Sequence, residues 1–155
     1  MKFDKGTVMK EKIISFLRAR NIEIPDNENE TVNLFLGTLI VGKIDYWLER
    51  SFDFIDNENP KNPFEREWSE AAKQDKTYRT CFSQLDSEAK FHVKKLLRQS
   101  IEGVAFSILS ELNGEYWRVN LDSDDMKGTA NEHGNLDTDL WHWIELFGQN
   151  KDKNG

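Results

Sequence analysis

The chain has one cysteine, Cys81, among its 155 residues, and only three prolines and three histidines. A lone thiol excludes an internal disulfide. Small secreted domains usually carry paired cysteines, so the composition points to a reducing, cytoplasmic setting. Long apolar runs are also missing. The longest, Leu34 to Gly42, is interrupted by Gly37 and Thr38 and is far too short to cross a bilayer. The opening MKFDKGTVMKEK lacks the continuous apolar stretch of a secretion signal. Positive charge is short too: 21 Lys and Arg stand against 28 Asp and Glu, a net charge of −7. That balance repels phosphate backbones and argues against nucleic acid as a direct partner. The one basic cluster, Lys90, Lys94, Lys95 and Arg98, works against the field of the whole molecule and reads as a solvated helix face.

Ten Phe, five Trp and three Tyr are present, each able to bury roughly 150–250 Å². The chain length fits one core, which places a single helical domain at residues 1–148 and a loose polar tail at 149–155. Apolar periodicity predicts a mainly α fold, a bundle of about five helices with a short strand or hairpin near 115–121. The first helix runs from about Lys5 to Asn21, with Val8, Ile13, Phe16 and Leu17 on one side. An acidic loop around Pro25 follows. A second helix is capped by Thr31 and runs to about Ile55, with Val32, Leu36, Ile40, Ile44 and Leu48 recurring every four residues. Phe35, Leu39 and Trp47 widen that stripe, and Gly37 and Gly42 let a neighbour approach closely.

Two prolines in DNENPKNP mark a break, after which a short helix runs from Pro63 to about Asp75 and buries Phe64 and Trp68. Thr77 to Leu85 fits no single template. The next helix starts at Asp86 or Ser87 and stops at Asn113-Gly114. Its stripe of Val93, Leu97, Ile101, Val104, Ile108 and Leu112 marks it as a core helix. EYWRVNL alternates as a strand through Trp117, Val119 and Leu121, followed by a polar loop over 122–135. The last helix has Asp137 as cap and Gly148 as stop, with Leu140, Trp143, Ile144 and Phe147 facing inward.

No motif dictates a reaction. DSDDMKG places Asp122 and Asp124 like the first ligands of a calcium loop, but Met126 cannot coordinate and no glutamate closes the loop. His92, His133 and His142 lack zinc spacing. Cys81 has no histidine near it in sequence, and glycine-rich phosphate cradles are missing. No catalytic residue, metal or cofactor is therefore assigned. The acids Asp122, Asp124, Asp125, Glu132, Asp137 and Asp139 crowd the stretch 120–140 against Lys127 alone. Such a face attracts a basic partner, and the neighbouring Tyr116, Trp117 and Trp141 are residue types favoured as interface anchors.

Two segments, LDSEAKFHVKKLLRQSIEGVAFSILSELNG and LDSDDMKGTANEHGNLDTDLWHWIELFG, cover about the C-terminal half. In style, a capped helix, an acidic loop and a Trp-rich end, they resemble immunity proteins of contact-dependent growth-inhibition and other polymorphic toxin systems. The resemblance implies a role and carries over no catalytic residues. It suggests a cytoplasmic monomer or homodimer that binds and neutralises a basic toxin domain, a nuclease above all, with no membrane involved. Two competing readings are a small hydrolase or transferase using Glu132, His133 and Cys81, and a helical homodimeric scaffold.

Overall fold

A computed structural model describes residues 8–58, 70–113, 117–132 and 135–149. The fold is mainly helical. In chain order, the described residues form α1 (Met9–Arg18), α2 (Glu28–Asp56), α3 (Glu70–Ser83), α4 (Ser87–Leu112), β1 (Asn120–Asp122), β2 (Lys127–Thr129) and α5 (Leu136–Phe147). The predicted Pro63 start with Phe64 and Trp68, the Gly114 stop, Tyr116, His133 and the tail beyond Gln149 lie outside the described residues.

The chain forms two compact units, one comprising residues up to Lys43 and from Ala105 onward, the other Ile44–Val104. The first unit buries Ile13 and Leu17 of α1, Val32 and Val41 of α2, Leu109 of α4, Met126 and Ala130 of the hairpin, and Leu136, Leu140 and Trp143 of α5. Gly37 belongs here for a steric reason. A Cβ at this position would lie 2.5 Å from the Trp143 ring, so only glycine lets α5 lay its indole on α2. Gly42, by contrast, has open space around it. The second unit buries Ile44, Leu48 and Ile55 of α2. Arg79 of α3 is also buried there, donating to the carbonyls of Asp53 and Asn57 and to the Asp53 carboxylate. It thereby adds a second donor to the Asp53 carbonyl, which also accepts the Asn57 N–H, and satisfies the Asn57 carbonyl just beyond the end of α2.

Helix ends explain several differences from the sequence expectation. α2 begins at Glu28, three residues before the expected Thr31 cap, because the Asn27 side chain accepts the Asn29 N–H at 2.8 Å. Thr31 instead donates its hydroxyl back to the Asn27 carbonyl. The expected cap at Asp86 is present, accepting the Ala89 N–H at 2.7 Å. α1 closes at Asn21, which takes the left-handed conformation, φ 58°, while the Ile22 N–H reaches the Leu17 carbonyl. Asp137 is not the cap of α5 but stands inside its first turn. The orphan Leu136 N–H is satisfied instead by the Asn113 side chain, at 2.8 Å. The stretch from Thr77 onward, which matched no template, is the second half of α3.

The predicted strand is shorter than expected, and the predicted loop after it contains the second strand. Asn120 pairs with Thr129, Leu121 with Gly128 and Asp122 with Lys127, antiparallel. The Trp117–Val119 stretch is not strand; it is held by Asn131, which is 1% exposed and bonds the Leu112 and Trp117 carbonyls and the Val119 N–H.

The largest correction concerns burial. The apolar stripe of α4 predicts a core helix, yet Leu109 is its one fully buried side chain, and Val104 and Ile108 of that stripe are 62% and 57% exposed. Leu39 and Trp47 of α2 likewise face water. Periodicity reports that a helix has an apolar side, not that the chain itself covers it.

Candidate functional site

Three helix N-termini in the first unit, those of α1, α2 and α5, are tied to one another and to the hairpin by polar side chains. A helix start carries unpaired N–H groups and partial positive charge, so carboxylates are stabilised there. Each of the three starts has them. Val8 gives α1 no side-chain cap, and Asp125, from the hairpin turn, accepts the Lys10 N–H at 2.6 Å in its place. Ser123 also donates to this carboxylate. Glu28 and Glu30 stand in the first turn of α2, and Asp137 and Asp139 in that of α5. Lys10 bridges α1 to α2 through Glu28 at 2.5 Å.

Two asparagines spaced one turn apart on α2 organise the rest. Asn29 accepts the Thr129 N–H and donates to Glu132, and Asn33 donates to the Ala130 carbonyl and to Asp139 at 2.8 Å. Asn33 also accepts the Trp143 indole N–H at 3.2 Å, which couples the site to the core. Gly128 is fixed by the same packing, since a Cβ there would come within 2.7 Å of Val32 and 3.1 Å of the Glu28 carbonyl.

These residues enclose a cavity of about 210 Å³, lined by Asn29, Glu30, Asn33, Thr129, Ala130, Glu132, Asn135 and Asp139. That is room for roughly seven waters at ~30 Å³ each, or for one long side chain. The lining offers three carboxylates and three amides, a chemistry suited to ammonium or guanidinium groups.

A cation and backbone amides act on two carboxylates beside the cavity. Lys10 lies beside Glu28, and its hydrogen bond and positive charge keep the Glu28 carboxyl below its usual range. For Asp125 the largest influence is burial, which opposes ionisation. The Lys10 N–H, the Ser123 hydroxyl and the amides of Asp125 and Met9 together outweigh it and hold the carboxyl low. Asp122 pairs with Lys127 at 3.0 Å, both side chains largely in water.

The structure thus separates the sequence-predicted residues by position. Glu132 and Asp139 share the cavity. Asp122, Asp124 and Asp125 stand on the hairpin, Asp124 exposed. Asp137 accepts hydrogen bonds from Asn113 and from the Thr138 N–H. Trp117 and Trp141 are 60% and 47% exposed, and Trp141 stands one turn beyond Asp137, its ring 6.2 Å from that of Phe106. Sequence reasoning missed Asn29, Glu30 and Asn33, whose segment was read as loop running into helix. The signal was the four-residue spacing of Asn29 and Asn33, which puts two amides on one helix face.

Of the residues named for hydrolysis, Cys81 stands exposed on α3 in the second unit, and Glu132 belongs to the first. Among the described residues, no group of three or more His, Cys, Asp or Glu is arranged to hold a metal ion. No helix among them is long and apolar enough to cross a membrane. The chain matches no protein-family model, no curated protein and no solved structure.

Proposed function

We propose that the chain is an immunity-type inhibitor that binds a basic toxin domain through the acidic end of its first unit, a nuclease being the partner whose surface chemistry fits best. The observation that carries this reading is the exposure of Trp117 and Trp141 in the same unit as the carboxylate-lined cavity. An indole left in water costs solvation that burial against a partner recovers, and tryptophan is enriched among residues that dominate binding energy. The carboxylates of Glu30, Asp124 and Asp139 supply the steering field, and the cavity receives a lysine or arginine side chain. A nuclease presents such cations where it holds its substrate's phosphates.

Affinity capture from lysate of the source cell tests this, with wild-type chain and the Trp117→Ala/Trp141→Ala variant as parallel baits. The expected result is a cationic protein retained by the wild type at low salt, released at high salt and missed by the variant. Its toxic or nucleolytic activity should fall when wild-type chain is added. A captured protein that is acidic, or one whose activity is untouched by the chain, overturns the proposal.

A further inference from the structure

The hairpin of the first unit has one edge closed and one edge open. In an antiparallel pair, residues that exchange hydrogen bonds with each other alternate with residues whose N–H and C=O point away from the partner strand. Here the Ser123 N–H reaches the Met126 carbonyl, and the Ala130 N–H reaches that of Val119. With Asn120 opposite Thr129 and Asp122 opposite Lys127, the alternation turns the backbone groups of these residues outward. On the β2 side α2 takes them up. Asn29 accepts the Thr129 N–H at 2.7 Å, and the Lys127 N–H donates toward the Glu28 carboxyl. On the β1 side no described residue bonds the N–H or C=O of Asn120 or Asp122, and both residues are exposed. An open strand edge is a template for another strand.

We infer that the open edge of β1 pairs antiparallel with the same edge of a second copy of the chain, joining two hairpins into one sheet. A two-fold axis at Leu121 sets Asn120 opposite Asp122 of the second copy, and Asp122 opposite its Asn120, as an isologous contact requires. Both pairs are of the hydrogen-bonded kind, since their free N–H and C=O groups already point outward. Moving the axis to Asn120 or to Asp122 would leave one of these residues facing chain beyond the paired strand. The same register carries Arg118 to Asp124 of the second copy at both ends. These two are exposed and opposite in charge, and the Arg118 guanidinium donates to the neighbouring Trp117 carbonyl. Like-signed groups would meet there if the strands ran parallel. Because α2 occupies the β2 edge, the pairing closes at two copies and does not grow into a fibre. A strand of three residues buries far less than the roughly 800 Å² per partner of a standard interface, and the like net charge of the copies opposes their approach. The dimer is accordingly weak and exchanges with monomer. The inference goes beyond the acidic-end reading and does not rest on it, although Asp124 serves both.

Sedimentation of the full chain from micromolar to millimolar concentration tests it, with circular dichroism as the folding check. The wild type should self-associate to a dimer and no further. In amide hydrogen exchange followed by NMR, the Asn120 and Asp122 N–H groups should slow as protein concentration rises, while that of Leu121, turned toward Gly128 inside the hairpin, should not change. Asp122→Pro removes an outward N–H and leaves the bonds of the hairpin itself intact, a place where an edge strand accepts proline. It should weaken the dimer about thirtyfold more than Asp122→Asn does, because Asn loses the same charge but keeps the N–H, and one net hydrogen bond disappears at each of the symmetric contacts. Arg118→Glu and Asp124→Arg should each raise the dissociation constant about fivefold. An equimolar mixture of these two variants should regain wild-type affinity, since opposite charges then meet at each end of the mixed dimer. A wild type that stays monomeric throughout overturns the inference. So does Asp122→Pro associating as tightly as Asp122→Asn, or a variant mixture no tighter than its components. Protection of the Asn120 and Asp122 amides by a captured basic protein alone would assign the edge to that partner and rule out the second copy.

Discussion

At the scale of single residues, the site rests on side-chain amides that replace backbone partners. Asn131 is the clearest case, since its one side chain satisfies two carbonyls and one N–H in a place water does not reach. Replacing it with alanine strands the Leu112 carbonyl and the Val119 N–H, the Trp117 carbonyl keeping its bond from Arg118, and each unpaired group costs about 1–3 kcal/mol. Local relaxation recovers some of that. Asn131→Ala should therefore cost about 3 kcal/mol in urea unfolding, whereas Asn29→Ala, partly exposed, should cost less. Asp125 makes a second residue-scale prediction. Its folded carboxyl is held below the ordinary value of 3.8, and that of Glu28 below 4.5. A depressed carboxyl adds stability that is complete above the unfolded value and is lost as pH falls through the folded one. Stability should decline as the pH is lowered below about 4.5, and Asp125→Asn should flatten part of that decline. Thermal unfolding midpoints across an acid series read both. If the wild type and Asp125→Asn lose stability in parallel, the cap on α1 contributes nothing through its charge.

At the scale of elements, the helices were legible and their burial was not. The stripes that place α2 and α5, the Asp86 cap and the break at Pro25 are local signals that a helix start or stop requires for its own hydrogen bonds. β2 carries no such signal. Lys127, Gly128 and Thr129 do not alternate, and the strand exists because Asn29 and Val32 of α2 lie against it, a tertiary cause invisible in the local pattern. The cavity was missed for the same reason, as Glu30 and Glu132 are about a hundred residues apart in sequence. α4 shows the converse failure. Its stripe matches a core stripe in composition and period, so the sequence could not distinguish cover by this chain from cover by another. Gly37 was read correctly as a close-approach site, and it gives a prediction at this scale. Gly37→Ala gains about 1 kcal/mol of helix propensity but drives a methyl to within 2.5 Å of an indole that is 1% exposed and hydrogen-bonded to Asn33. The overlap should win, leaving a net loss of about 1–3 kcal/mol. Trp143→Leu in the Gly37→Ala background should cost less than in the wild type, because the methyl then occupies vacated space. Equal costs in the two backgrounds, measured by a double-mutant cycle in urea, would show that the contact is not the constraint.

At the scale of the whole molecule, net charge sets how the proposed acidic surface responds to salt. A net charge of −7 sets up a field that draws a cationic partner and repels a second copy of the chain. At 0.15 M salt the screening length is about 8 Å, and at 1 M about 3 Å. Capture of a basic protein by the acidic end should therefore slow steeply across that range, with the loss in the association rate, because charge steers encounter while buried aromatics govern release. Glu30→Gln with Asp124→Asn should reproduce the high-salt rate at low salt, and Trp117→Ala should speed dissociation without changing the salt slope. Measuring the association rate from about 0.05 M to 1 M salt should thus give a steeply falling line for the wild type and a nearly flat one for the double variant. A wild-type rate indifferent to salt would mean that the carboxylates of the first unit do not steer the encounter.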